Sequence, residues 1–552
     1  MATVRGADIL ARALAAAGVR HVFSLSGNQI MPVYDAALDA RLSIVHVRHE
    51  GAAVHMADAW GRLTGEPGIA LLTGGPGHAN GVSALFTALA SESPLVMLSG
   101  HASLAELGRG AFQEMAQADL AAPVTKASWT AQRPDTLGED IERALNIARS
   151  GRPGPVHVSL PFDLLEAKVA GGTVAPPRSV IPVAHRLEPS VEDAVCAELE
   201  RARRPLVLVG PALANGAGPA VRERLAAATG VPVVCMESPR GINDPALGAL
   251  GDVLREADLV VLLGKQPDFT LRFGAPPALA ADCRFIVIDP EPDALQRALR
   301  TLAPAARVRF SAIADPLAAA EGLAARARPT GSRQWLEDVQ SAIRFRPAEW
   351  RTLVSRPEGP LHPVEVGRGV QQILDRSRNA VLVADGGEFG QWAQACVSAP
   401  TRLINGPGGS IGSAIPFALA ARLARPDATV VAMLGDGTFG FHLAEFDTAA
   451  RARLPILAVI GNDACWNAEH QIQLRAYGRD RAHGCELLPA RYDQAVAALG
   501  GHGEHVTRAS ELVPALERAL AAQRPACVNA MIERAPAPVV ARGAAVGAGA
   551  VH

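Results

Sequence analysis

"TVVAMLGDGTFGFHLAEFDTAARARLPILAVIGNDACW", residues 429–466, decides the fold. Two apolar runs, TVVAMLG and PILAVIG, flank a segment long enough for one crossover helix. Continuous apolar strands separated by helices belong to parallel sheets covered on both faces. Each run leads into an acid: Asp436 sits between Gly435 and Gly437, and Asp463 follows Asn462, 27 positions later. Ligands of open parallel sheets collect outside the carboxyl ends of the strands, so both acids belong at one sheet edge. The two glycines permit a sharp turn and close approach to a phosphate. Two carboxylates completed by phosphate or water oxygens suit Mg²⁺. Two helix N-caps would give the same spacing, since Asp commonly opens a helix. Spacing alone leaves both readings open.

The same alternation extends through the 552 residues. HVFSLSG, LSIVHV, GIALLTGG, LVMLSG and VHVSLP are strand candidates in a first block, 1–165. A Pro/Gly/Val-rich linker, 166–190, leads to a second block, 191–330, with PLVLVG, VPVVCM, LVVLLG and FIVIDP. A linker at 331–360, carrying a polar helix and then prolines, precedes a third block, 361–534. The expected fold class is α/β, three doubly wound parallel-sheet domains; the shared class of the first and third raises an old duplication, which no sequence repeat proves. The small-residue tail, 535–552, is either a loose end or a lid.

Composition narrows the function. A formal charge of −2 gives no basic face for nucleic acid or anionic lipid. No stretch is apolar enough to span a membrane, and the N-terminus reads as an amphipathic helix rather than a signal peptide, which places the chain in the cytoplasm. The seven cysteines show no CxxC spacing and read as isolated buried thiols.

GDG, a gap, then N-D resembles the diphosphate motif of thiamine diphosphate-dependent enzymes. The resemblance runs over nearly the whole chain and implies pyrimidine-binding, middle Rossmann-like and diphosphate-binding domains, with thiamine diphosphate and Mg²⁺ as cofactors. It implies that Asp436, Asp463 and the Cys465 carbonyl hold the metal. The family more often has Asn at the second position, so Asn462 is the competing ligand; Glu445 and Pro455 fall into register when Asp463 is chosen. Gly435, Gly437, Thr438, Trp466 and Asn467 would surround the diphosphate. "NGPGGSIGSA" resembles the family's Gly-rich turn, with Gly409, Ser410 and Ile411 at the cofactor and Ile411 propping it into a bend. "VADGGEFGQWAQ" supplies Gly386, Gly387, Glu388, Phe389 and Gly390.

"RHEGAA" in the first block matches the family's cofactor-activating glutamate. Glu50 would hydrogen-bond N1′ of the aminopyrimidine and so make the exocyclic nitrogen a base for carbon 2, helped by burial of the carboxyl. The family shares each site between subunits, which implies a homo-oligomer, a dimer or a dimer of dimers. Gln113, Asn28, Gln29 and His78 are the substrate-side candidates, although a lone histidine is more often structural.

Three reactions compete. PVYDA, GGPGHAN and AFQE resemble acetolactate synthase. AEFDTAARARLPI and RPACVN resemble benzaldehyde lyase. The stretch 461–493 resembles bacterial 2-hydroxyacyl-CoA lyases, related to oxalyl-CoA decarboxylase, and is the preferred match. That branch cleaves a 2-hydroxyacyl-CoA to formyl-CoA and an aldehyde or ketone, reversibly. Glu486 is then the candidate second acid/base. Lys265 and Arg272 could pair with the nucleotide phosphates of a CoA thioester, and Arg542 could reach it from the tail. A flavin in the middle domain and a non-catalytic cofactor-binding regulator are the remaining alternatives. Retention of Glu50 with both diphosphate-site acids speaks against the regulator.

Overall fold

The computed structural model describes residues 3–170, 184–329 and 331–542. They contain three parallel sheets and one small antiparallel pair, Thr3–Arg5 with Lys168–Ala170. By contacts the chain forms two compact units. The first holds the chain up to residue 170 together with Ile415–Pro426 and His442–Pro455. The second holds the middle and C-terminal sheets, within residues 184–414, Asp427–Phe441 and 456–542.

The first sheet runs in the order Ser43–His46, His21–Ser24, Gly68–Leu72, Leu95–His101, Pro155–Pro161, Ala127–Thr130. The C-terminal sheet runs Thr401–Ile404, Ala380–Ala384, Thr429–Gly435, Leu457–Asn462, Ala526–Met531, His502–Val506. Numbered along the chain, both read 2-1-3-4-6-5 with every neighbour parallel. The middle sheet has five parallel strands, with Leu259–Leu263 at its centre. The central strands of all three sheets are buried along their length, as continuous apolar runs require.

The structure departs from the sequence-based expectations in three places. The crossover after Asp436 is two short helices, Asp436–His442 and Glu445–Arg451, instead of one. The break sets Glu445 at a helix start, where its buried carboxylate accepts the Arg48 N–H at 3.0 Å and the Thr448 hydroxyl at 2.6 Å. The middle core does not stop near 330. Trp335, Val339 and Ala342 of the helix Arg333–Arg344 are buried in it, and Trp335 Nε1 donates to the Pro205 carbonyl at 2.7 Å. That helix is amphipathic, and its polar face masked its packing role. The strands Ala127–Thr130, Val308–Ile313 and His502–Val506 were not expected at all. Each lies at a sheet edge and is only partly buried, so it lacks the apolar run that marks a central strand.

All seven cysteines are free, and five are buried. Among the described residues no helix is long and apolar enough to cross a membrane.

Candidate active site

The strand register fixes the two acids. Gly435 pairs directly with Gly461 across neighbouring parallel strands. Asp436 lies one residue, and Asp463 two residues, beyond that rung. Both line a cleft of 420 Å³ at the carboxyl edge of the C-terminal sheet. The cleft opens where the strand order reverses, between Ala380–Ala384 and Thr429–Gly435, the usual ligand crevice of such sheets.

Burial pushes Asp436 up to about 6. Burial and then the neighbouring Asp436 charge push Asp463 up to about 7. Asp436 Oδ2 is buried without a hydrogen-bond partner. Two crowded carboxylates with an orphaned oxygen are a donor set that a hard divalent cation satisfies. Among the described residues no group of three or more His, Cys, Asp or Glu side chains is arranged to hold a metal, so further ligands must be carbonyls, water or ligand oxygens. Asn462 points elsewhere. Its amide bonds the Ala490 carbonyl and Asn529, and its oxygen accepts the Ala464 N–H.

The turn after Ala384 forms the adjoining wall. Gly386, Gly387, Glu388 and Phe389 line the cleft. Gly387 adopts φ +78°, and a side-chain carbon on Gly386 would stand 2.8 Å from Ile411, also in the lining. Gly409 lines the cleft, whereas Ser410 and Gly390 do not; a Cβ on Gly390 would collide with the Asp385 carbonyl at 2.0 Å, so its place is in helix packing. Gly437, Thr438, Cys465, Trp466 and Asn467 complete the floor, with the Trp466 ring lying against Gly437.

Two positioning residues escaped the sequence reading. Asp385, fully buried and pushed up to about 6, accepts the N–H groups of Gly386, Gly412 and Ala414 and so fixes the Ile411 turn. Arg534 donates to the Asp463 and Ala464 carbonyls at 3.0 and 3.1 Å and to both oxygens of Glu486 at 2.7 and 2.6 Å. An acid next to a strand end and a charge in a C-terminal segment were the available signals. Glu486, expected as a second acid/base, is outside the cleft lining, and Arg534 holds its carboxyl below the usual range. That engagement makes it a partner of the Asp463 turn rather than a free proton donor.

The CoA-side cations are also redirected. Lys265 is buried and bonds Asp268 and the Gln266 carbonyl at 2.9 and 2.8 Å. Arg272, half-buried with φ +49°, does not line the cleft, although Phe269 of the same turn does. Arg542 bonds Asp252 through its backbone and Ser341 through its guanidinium. The preceding tail lies on cleft-lining residues: Asn467 donates to the Ala535 carbonyl, and Glu388 receives the Ala537 N–H. The rest of the expected lid, 543–552, is outside the described residues.

In the first unit, Glu50 opens the helix Glu50–Thr64 and accepts Asn80 Nδ2 at 3.0 Å. Glu445 accepts the Arg48 N–H just before it, a second carboxylate steadying the Glu50 turn. Gln29 joins Thr73 and Gln113 at 2.5 and 2.9 Å, while Asn28 is exposed. His78 is an interior residue. It is fully buried, bonded to Ser99 at 2.9 Å and packed against His157 with the rings tilted by 59°, and burial pushes it down to about 4.

Comparison with known proteins adds independent findings. Residues 4–120 match the family model "Thiamine pyrophosphate enzyme, N-terminal TPP binding domain", and residues 385–530 match "Thiamine pyrophosphate enzyme, C-terminal TPP binding domain". The chain is 33% identical to a probable acetolactate synthase of Mycobacterium bovis, over 96% of each chain. It is 32% identical to 2-hydroxyacyl-CoA lyase 2 of Homo sapiens, over 92% of this chain and 86% of that one. It is 26% identical to a probable acetolactate synthase large subunit of Methanocaldococcus jannaschii, over 98% and 94%.

Proposed function

Because the chain belongs to the thiamine pyrophosphate-dependent enzymes, we propose that it is a carbon–carbon lyase that cleaves 2-hydroxyacyl-CoA to formyl-CoA and an aldehyde or ketone, and runs in reverse as a ligase. One observation carries the CoA reading. The segment that brings Trp466, Asn467 and Glu469 to the cleft continues into exposed Arg475, Tyr477, Arg479 and Arg481. Cations with an exposed aromatic ring beside a cleft suit a phosphorylated adenine nucleotide, by ion pairing and stacking.

In this reading Asp436, Asp463 and the Cys465 carbonyl hold Mg²⁺, and Ile411 supports the cofactor from the Gly-rich turn. When bound, thiamine diphosphate supplies the electron sink for breaking the C1–C2 bond. Glu50 holds a proton at N1′, and the Asn80 amide keeps its carboxyl in place. Gln29 and Gln113, bonded to each other, orient the substrate hydroxyl. The enzyme acts as a cytoplasmic homo-oligomer whose subunits share sites.

A second reading, acetolactate synthesis from 2-oxo acids, is favoured by the 33% identical relative. Loading the protein with Mg²⁺ and thiamine diphosphate, then supplying pyruvate or a 2-hydroxyacyl-CoA separately, decides between them. Formyl-CoA is the expected product; acetolactate from pyruvate alone would replace the first reading with the second.

A further inference from the structure

Four carboxylates line the cleft, those of Glu388, Asp436, Asp463 and Glu469, against one cation among its described lining residues, Arg240. Asp436 and Asp463 face each other at the strand tips, which leaves Arg240 to a different task. It comes from the middle sheet's loops, not from the sheet whose strand ends form the crevice. It acts electrostatically on Glu388, whose proton affinity it lowers against the larger, raising effect of burial. Glu388 is already engaged by Gln391 at 2.9 Å and by the Ala537 N–H. The Arg240 guanidinium makes no ion pair among the described residues.

The loop that carries Arg240 is built to stay put. Glu237 and Asp244 flank it, and both bond Arg402 on the edge strand Thr401–Ile404, at 2.9 and 3.2 Å. Asp244 is fully buried and also receives the Ala246 N–H. Ser238 Oγ accepts the Arg240 N–H at 3.2 Å. Gly241 has φ +55°, and a Cβ there would overlap the Thr270 carbonyl at 1.9 Å, which clamps the loop onto the turn bearing Phe269. A buried ion cluster and a backbone clamp thus hold a cation at a cleft wall, where its planar fork is ready for a bidentate oxyanion.

We propose that Arg240 is a specificity-determining residue that reads an oxyanion on the substrate, either the carboxylate of a 2-oxo acid or a phosphate of a CoA thioester. The inference rests on the cleft being the thiamine diphosphate site. A ligand lacking such a group gains nothing from Arg240, so the residue discriminates by charge and leaves the cofactor's own anchoring to the metal side.

The test is equilibrium binding, which needs no turnover. Calorimetric titration of the cofactor-loaded protein with pyruvate, and separately with CoA, is repeated for Arg240→Gln and Arg240→Lys. The expected result is at least tenfold weaker binding of one ligand in R240Q, partial recovery in R240K, and unchanged cofactor affinity. Loss confined to pyruvate identifies a carboxylate; loss confined to CoA identifies a phosphate. The proposal is overturned if neither ligand is weakened, including the case in which neither binds the parent protein. It is equally overturned if cofactor affinity falls in parallel, since Arg240 would then hold the diphosphate. Failure to form formyl-CoA leaves this binding result untouched, so the two conclusions fail separately.

Discussion

Arg534 reaches the backbone carbonyl of Asp463 at 3.0 Å, and the same guanidinium grips Glu486 through both oxygens. The Asp463 turn is therefore set by a charge 71 positions away in sequence. Glu486→Gln should weaken this grip without removing a proton-transfer group. The expected outcome is a several-fold loss of Mg²⁺-dependent cofactor affinity with the shape of the pH–rate profile unchanged. A lost limb in that profile would return Glu486 to acid/base chemistry.

The crowded acids make the metal-free protein sensitive to pH. Both fold with carboxyl pKa values raised from 3.8, to about 6 for Asp436 and about 7 for Asp463. The folded state therefore holds protons that the unfolded state releases first. Stability from this source is complete below pH 4 and lost as pH climbs through 7, by on the order of several kcal/mol for the coupled pair. The melting temperature of Asp436→Asn/Asp463→Asn should exceed that of the parent at pH 8 without metal and converge with it at pH 4. The same variant should lose at least 100-fold in cofactor affinity. Equal melting curves at pH 8 would contradict the crowding.

Gly437→Ala tests the floor. Its new methyl would stand 2.8 Å from the Trp466 ring, a fixed aromatic rather than a flexible tip. Overpacking of this kind costs about 1–3 kcal/mol. Thermal unfolding should register that loss, and cofactor titration should show at least tenfold weaker binding, because Trp466 must move into the cleft to relieve it.

Glu50→Gln should leave cofactor affinity within about threefold, judged by titration, yet slow exchange of the C2 proton in deuterium by at least 100-fold. Glu445→Gln, which alters the contact to the Arg48 backbone and leaves Glu50 itself in place, should slow exchange less. Unchanged exchange in Glu50→Gln removes that residue from the mechanism.

Much of this was legible in the residues. Central strands announce themselves because both faces are buried, and the glycine-flanked Asp436 marks a strand tip by composition alone. Edge strands such as His502–Val506 carry polar side chains on a half-wetted surface and look like loops. Three-dimensional partners were the larger gap. Nothing in GNDACW says that Asn462 turns toward Ala490 and Asn529 while Asp463 faces the cleft. Nor does HGCELLP disclose Arg534 beside Glu486. Nor does GKQPDF disclose that Lys265 is buried and neutralised by Asp268, three residues on.

The matching 2-1-3-4-6-5 order of the first and C-terminal sheets lets their strand tips be compared position by position. Asp436 immediately follows the third strand of its sheet, where the first sheet has Thr73; four residues past the second strand stand Glu50 in the first sheet and Gly408 in the C-terminal one. The two crevices share an architecture and differ in where a carboxylate stands, beyond the rim strand in one and at the switch point in the other. Identical topology therefore leaves the chemistry of each crevice to single residues at its strand tips.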